Sequence, residues 1–219
     1  MKNLNIRNFV WAIVVFSIAS WVALLLITGT KLLDAWEALK QLPTVISADM
    51  LLWLWFVKWG WKNPICQKLF VPFPCLEGTW KGELVSTWID PSTGSGSSTK
   101  EVYLVIHQSF IHTSCTLFSL QMTSRSYVAD FLIDKENNSK KLTYSYTSTP
   151  KVTIRDRSIV HDGTAKLEII VSPGRRLRGE YWTNRRSTGE VTLTFYSSKF
   201  LEEYPVNNQP AITAGEMSR

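Results

Sequence analysis

Thr79-Trp80-Lys81-Gly82-Glu83-Leu84-Val85-Ser86-Thr87-Trp88 alternates with a period of two, so that Trp80, Gly82, Leu84, Ser86 and Trp88 share one face while Lys81 and Glu83 point the other way. Successive side chains of an extended chain point to opposite faces, so this pattern predicts a strand with one buried side. Seven further runs rich in Thr, Val, Ile, Tyr and Trp follow, at roughly 100–109, 110–118, 122–133, 140–148, 163–172, 175–185 and 189–197. In them Leu142, Tyr144 and Tyr146 share a face, as do Ala165, Leu167, Ile169 and Val171, and Leu177, Gly179, Tyr181, Thr183 and Arg185. Turn residues such as Ser172-Pro173-Gly174 and Arg186-Ser187-Thr188-Gly189 separate the runs, and no helical stretch interrupts them. Sequential strands joined by short turns predict an up-and-down meander. Eight of them are about the number that closes into a barrel with room for one ligand.

Upstream the composition is different. From Asn8 to Thr30 there is no charged residue, with Arg7 and Lys31 at the two ends. A helix of that length, rising about 1.5 Å per residue, crosses a hydrocarbon core of about 30 Å. A secretory signal has a shorter apolar region of about 7–15 residues and a small-residue cleavage site. This run contains Trp11 and Trp21 and ends Leu24-Leu25-Leu26-Ile27-Thr28-Gly29-Thr30 without an Ala-x-Ala pattern, which favours a retained span. A second span is expected at about 42–61, LPTVISADMLLWLWFVKWGW, interrupted by Asp49 and by Lys58 near its end. Lys58, Trp59 and Trp61 suit the headgroup layer there. The expected fold class is a membrane α-helical hairpin plus an all-β, lipocalin-like, eight-stranded up-and-down antiparallel barrel. The domains read as a two-helix transmembrane region at 1–62, a linker at 63–77, a ligand-binding barrel at 78–200 and a loose tail at 201–219.

Charge orients the hairpin. Lys2 and Arg7 precede the first span and Lys58, Lys62 and Lys68 trail the second, against Lys31 and Lys40 in the connection. The positive-inside rule places both termini in the cytoplasm of a two-span inner-membrane protein. Three cysteines (Cys66, Cys75, Cys115) with no framework spacing agree with a reducing compartment. The formal charge of +6 is concentrated near the helices: residues 1–76 hold seven basic and three acidic side chains, residues 77–219 seventeen and fifteen. Such an excess meets anionic lipid and gives no support to a groove for a polynucleotide.

Counting strands up and down gathers three long connections at one end of the barrel: Pro91–Thr99, Thr149–His161 and the turn after Arg185. That end is the expected mouth, where polar inward groups recognise small molecules. An inward Tyr is either core or ligand contact. Inward Arg185 either binds an anion or reaches past the turn to solvent. Arg155 and Arg157 stand in the long connection, on the surface or gating the mouth. No catalytic motif is found: the three histidines (His107, His112, His161) lack metal spacing, there is no phosphate-cradling Gly-rich loop before a helix, and Gly94-Ser95-Gly96 is a flexible loop, not a nucleophile elbow. The chain reads as a receptor, not an enzyme, with neither metal nor cofactor.

A short membrane hairpin running into a compact β domain that opens Gly78-Thr79-Trp80-Lys81-Gly82 and closes Leu177-x-Gly179-x-Tyr181-x-Thr183-x-Arg185-x-x-x-Gly189 resembles the SMODS-associated, two-transmembrane, β-strand-rich effectors of bacterial CBASS anti-phage systems. The resemblance covers nearly the whole chain, and architecture carries more of it than any one motif. It implies that a cyclic dinucleotide made by a partner CD-NTase enters the barrel. The helices then self-assemble and disrupt the inner membrane, killing the infected cell.

For such a ligand, bases need flat aromatic faces and phosphates need guanidinium or hydroxyl donors. Trp88, Tyr144, Tyr146 and Tyr181 are the candidate faces; Ser86, Gln108, Thr183 and Arg185 are the candidate donors. Asp49 is the candidate membrane-assembly residue, the alternative being an interfacial carboxylate that reaches water. Two other functions stay open: a lipid- or fatty-acid-binding membrane barrel, and a non-enzymatic docking subunit of a membrane complex.

Overall fold

The computed structural model describes residues 6–29, 36, 39–71, 73–87, 94, 98–134, 136–156 and 158–205. Helices α1 (Ile6–Thr28), α2 (Leu42–Lys58) and the short α3 (Pro64–Leu69) precede the strands. These are β1 (Gly78–Ser86), β2 (Ser98–Gln108), β3 (Thr113–Ser119), β4 (Met122–Asp134), β5 (Ser139–Pro150), β6 (His161–Ile170), β7 (Arg176–Thr183) and β8 (Thr188–Ser197). The eight strands form a closed barrel in sequence order. β1 closes it by pairing antiparallel with β2 on one side, Trp80 opposite Leu104, and with β8 on the other, Gly82 opposite Leu193. The expected barrel is therefore present strand for strand.

The helices meet expectation unequally. Val10–Thr28, 19 residues, is long and apolar enough to cross a membrane. The second expected span, 42–61, is an α-helix only to Lys58; its 17 residues rise about 26 Å, short of a hydrocarbon core of about 30 Å. Beyond it the backbone leaves helical geometry at Trp59 (φ −133°), and Gly60–Lys62 forms a 3₁₀ turn. Among the described residues, one helix is therefore long and apolar enough to cross a membrane. Asn63 then caps α3, its side chain accepting from the Ile65 N–H at 2.9 Å, with Pro64 as the first helical residue.

The chain divides into two compact units, one of residues 1–76, 107–113 and 129–143 and the other of residues 77–106, 114–128 and 144–219. In the first, among the described residues, Ser17 Oγ of α1 donates to Asp49 Oδ2 of α2 at 2.7 Å, and Gln41 Nε2, from the residue just before α2, donates to Thr28 Oγ1 of α1 at 2.8 Å. Phe56, Trp61, Val71 and Phe110 form its buried cluster, and Phe73 stacks on Phe131 with centroids 5.2 Å apart.

The second unit holds most of the barrel's apolar floor, including Trp80, Leu104, Leu167, Leu177 and Leu193, all but inaccessible to solvent. Its C-terminal stretch corrects one expectation. The reading of a loose tail from 201 onward fails for the first residues, because Leu201 and Tyr204 pack on Tyr103, Val105 and Phe118 outside the barrel. Tyr204 also donates to Glu101 Oε1 at 3.4 Å, beside the Lys81–Glu101 ion pair at 2.9 Å. Tyr103 and Val105 are outward apolar residues of β2 that need a cover, and these residues supply it. The remainder, 206–219, lies outside the described residues.

Leu177 faces Ile169 and Leu193 across its two neighbours and is fully buried. Leu177→Ala is therefore expected to cost about 2–5 kcal/mol through lost burial and a retained cavity, read by denaturation of the full chain.

Candidate functional site

The inward residues change character along each strand toward the mouth. On β5 the series runs Leu142, Tyr144, Tyr146, Ser148; on β7 Leu177, Gly179, Tyr181, Thr183; on β1 Leu84 is followed by Ser86. An apolar floor thus passes through a ring of phenols to a rim of hydroxyls. Between them lies a cavity of about 110 Å³, whose walls include Ser86, Lys100, Tyr144, Tyr146, Tyr181 and Arg185.

Glycines on neighbouring strands make room for the rings. A Cβ at Gly163 would stand 2.6 Å from the Tyr146 ring, and one at Gly189 would stand 2.6 Å from the Tyr181 ring. Each ring therefore lies over a bare stretch of backbone. The Tyr144 and Tyr146 centroids are 5.8 Å apart. Tyr181 donates to Ser86 Oγ at 2.8 Å, and Ser124 donates to Ser148 Oγ at 2.9 Å. Burial pushes the Tyr144, Tyr146 and Tyr181 phenols above their usual range, so all three stay neutral.

Arg185 is the centre of charge. Its Nη1 donates to Ser158 Oγ at 3.0 Å and its Nη2 approaches His161 Nε2 at 3.3 Å. A guanidinium only donates, so Nε2 must be the unprotonated acceptor and Nδ1 carries the hydrogen, donated to the Ile159 carbonyl at 3.0 Å. Arg185 Nε is buried and has no partner among the described residues. Burial lowers the Arg185 pKa from its ordinary value, though an arginine remains charged. No carboxylate lines the cavity among the described residues, where two cations and seven Ser and Thr hydroxyls do. Chemically this is a partly apolar chamber with a positively charged, hydroxyl-rich rim, fitted to an anion that carries flat groups.

Of the residues singled out from sequence, Ser86, Tyr144, Tyr146, Tyr181, Thr183 and Arg185 line the cavity together. Gln108 does not and is corrected: its Oε1 accepts from the Leu76 N–H at 2.7 Å and its Nε2 donates to the Pro74 carbonyl at 3.2 Å. It is in phase with inward Val102, Leu104 and Ile106, but lies at the opposite end of β2 from Ser98. Trp88 and Arg157 lie outside the described residues, and Arg155 is exposed. Asp49 belongs to the helical hairpin, with Oδ2 on Ser17 and Oδ1 buried without a partner among the described residues. Sequence reasoning missed Lys100, Ser148, Ser158 and His161. Alternation carried a signal for two of them, since Lys100 is in phase with Val102 and Ser148 with Tyr146.

A family model described as "Cap15, cyclic dinucleotide receptor domain" matches residues 71–194, more than half of the chain and the whole of the cavity wall. The chain belongs to the Cap15 cyclic dinucleotide receptor family. This is the CBASS effector family that the sequence resembles. It is also 24% identical over 178 residues to CD-NTase-associated protein 15 of Staphylococcus schleiferi, an alignment covering 81% of this chain and 90% of that protein. In this Cap15 domain the cationic rim occupies the polar end of the barrel.

Burial first, and the Arg185 cation, hold the His161 pKa below the usual 6.5, against the opposing pull of the Ile159 carbonyl and Asp162. Above pH 6.5 both folded and unfolded chains carry His161 neutral; as pH falls, the unfolded chain takes up the proton first and stability is lost. His161→Gln should flatten the fall in melting temperature between about pH 6.5 and pH 5, measured on the full chain in a pH series.

Proposed function

We propose that the chain is a membrane-anchored CBASS effector that binds a cyclic dinucleotide in its barrel, with no catalytic chemistry of its own, and thereupon self-assembles and disrupts the inner membrane. The observation that carries the ligand reading is the cavity wall: neutral phenols over glycines and a guanidinium with an unmet buried donor, in the segment that matches a cyclic dinucleotide receptor domain. Bases stack on Tyr144, Tyr146 and Tyr181 while phosphate takes Arg185, with Ser86 and Thr183 as further donors.

The cavity of about 110 Å³ is well below the roughly 300–1,000 Å³ of sites that enclose a ligand of this class. Binding therefore displaces part of the mouth. The segment after β5 is the candidate, because it contributes Ile154 and Ser158 to the wall and is held by the Lys151 N–H on the Gln121 carbonyl at 2.9 Å and by Ser158 on Arg185. A ligand phosphate competes with Ser158 for the same guanidinium, which couples occupancy to release of this segment.

Titration calorimetry of the full chain in detergent, against a panel of cyclic dinucleotides and fatty acids, tests the reading. One cyclic dinucleotide per barrel is the expected outcome; binding of fatty acids alone overturns it. Arg185→Ala removes a charge-assisted hydrogen bond and should weaken binding by about 1.5–3 kcal/mol, roughly tenfold to a hundredfold, with little loss of melting temperature.

Both spans are proposed to lie in the inner membrane with the two termini in the cytoplasm. Support comes from the apolar side chains that α1 and α2 leave exposed along their length, among them Trp11, Val15, Leu26, Ile46, Met50 and Leu54. Asp49 then sits within a span, where an ionisable group is expensive and functional by default. Its Ser17 bond satisfies one oxygen and the other is buried and unmet among the described residues, so a partner for it in an assembled bundle requires the two helices to shift first. Asp49→Leu should leave insertion and ligand binding intact while abolishing ligand-dependent dye leakage from proteoliposomes. Undiminished leakage would reduce Asp49 to a bystander.

A further inference from the structure

His161, the first residue of β6, has both ring nitrogens in use: Nδ1–H donates to the Ile159 carbonyl at 3.0 Å and Nε2 accepts from Arg185 Nη2 at 3.3 Å. The residue is 6% exposed and lines the barrel cavity, as Ser158 does. A guanidinium presents its Nε–H and one Nη2–H as parallel donors, an edge on which it takes phosphate bidentately. Arg185 Nε is the buried donor with no partner among the described residues. An oxyanion that satisfies Nε therefore comes to Nη2 as well, and its oxygen arrives beside His161 Nε2. Two acceptors then face each other, a phosphate oxygen and a nitrogen lone pair. A proton on Nε2 turns that repulsion into a charge-assisted hydrogen bond.

The surroundings decide where the countercharge for an imidazolium comes from. In the empty barrel burial first, and then the Arg185 cation, disfavour it. Asp162, the next residue along β6, is exposed, and its Oδ1 accepts from Thr147 Oγ1 at 2.7 Å. Lys100 of β2 is the other cation of the wall, the Tyr144, Tyr146 and Tyr181 phenols are neutral, and no carboxylate lines the cavity among the described residues. Arg155 and Asp156, in the segment that carries Ser158, are exposed. Inside the barrel the balancing anion is one that a ligand brings.

We propose that His161 is a phosphate-binding residue of this site: on ligation Nε2 takes a proton from the buffer and donates it to a phosphate oxygen held on Nε and Nη2 of Arg185, while Nδ1–H keeps the Ile159 carbonyl. The inference rests on the cyclic dinucleotide reading. It makes affinity rise as pH falls, opposite to the stability of the empty chain, because the bound state now holds the extra proton.

The test is titration calorimetry of the full chain in neutral detergent at pH 6.5, with cyclic di-AMP, cyclic di-GMP, cyclic di-UMP and cyclic GMP–AMP as probes. For the probe that binds most tightly, the titration is repeated in buffers of different ionisation enthalpy, and the slope of the observed heat counts the protons taken up. About half a proton or more per bound probe is expected, with affinity about threefold to tenfold tighter at pH 6 than at pH 8. Phosphodiesters and the bases of these probes keep their charge over that range, so the proton enters the protein. His161→Gln, which keeps a neutral hydrogen-bonding side chain, should lose both the uptake and the pH dependence, its melting temperature showing that it is folded. His107→Gln with His112→Gln, at the two other histidines, which are exposed and outside the cavity wall, should keep both. Binding without proton uptake, uptake that survives His161→Gln, or uptake lost in the double variant overturns the role of His161 and leaves the cyclic dinucleotide reading standing. Failure of all four probes to bind overturns that reading and this inference with it.

Discussion

The pairing of β1 with β8 is the constraint on which the rest depends. A sheet of eight strands left open would present two edges and two faces; closed, it has one interior shared by all eight inward series. Because Trp80 stands opposite Leu104 on one side and Phe195 on the other, and Gly82 opposite Val102 and Leu193, the residues of each strand fall into common levels. A change of composition along each strand then becomes a change of chemistry along the barrel axis. Leucine and tryptophan below supply burial and hold the wall rigid, and tyrosine, serine and arginine above are displayed on that wall without having to hold it together.

Arg185 illustrates how such a wall is made receptive. Paired with a carboxylate, its charge would be cancelled and an incoming anion would have to break an ion pair. Its partners are instead a serine hydroxyl and a neutral imidazole, and its Nε is left unmet among the described residues. The empty barrel tolerates a half-satisfied, half-buried cation, a local cost that the apolar floor offsets. The same logic governs Tyr146 and Tyr181, whose rings lie over Gly163 and Gly189. Glycine there weakens two strands slightly and in exchange opens flat aromatic surface to the cavity.

The helical part follows different physics. α1 and α2 leave much of their apolar surface uncovered, and their cohesion includes side-chain hydrogen bonds from Ser17 to Asp49 and, from the residue just before α2, Gln41 to Thr28. At the end of α2 the chain changes from a continuous helix to a 3₁₀ turn, and tryptophans and lysines accumulate at that change.

The strand count, the order of the strands and the inward face of each were legible in the sequence, because a period of two is local and a closed meander needs only short turns to be inferred. Tyr144, Tyr146, Tyr181, Thr183, Arg185 and Ser86 followed from that alternation. Gln108 shows its limit: alternation says that a residue points inward but not at what height, and register with the neighbouring strands puts Gln108 on the backbone of Pro74 and Leu76. His161 and Ser158 were invisible because their meaning is a partner 24 or 27 residues away, and only folding brings Arg185 to them. The length of α2 escaped for a related reason, since hydropathy registers apolar residues and not the backbone turn at Trp59 that ends the helix. The sequence by itself determined the sheet, its faces and the apolar first helix, all set by nearest-neighbour chemistry. The tertiary structure decided the level of each side chain, the partners of the buried cation and the volume of the cavity, because these depend on contacts between residues far apart in the chain.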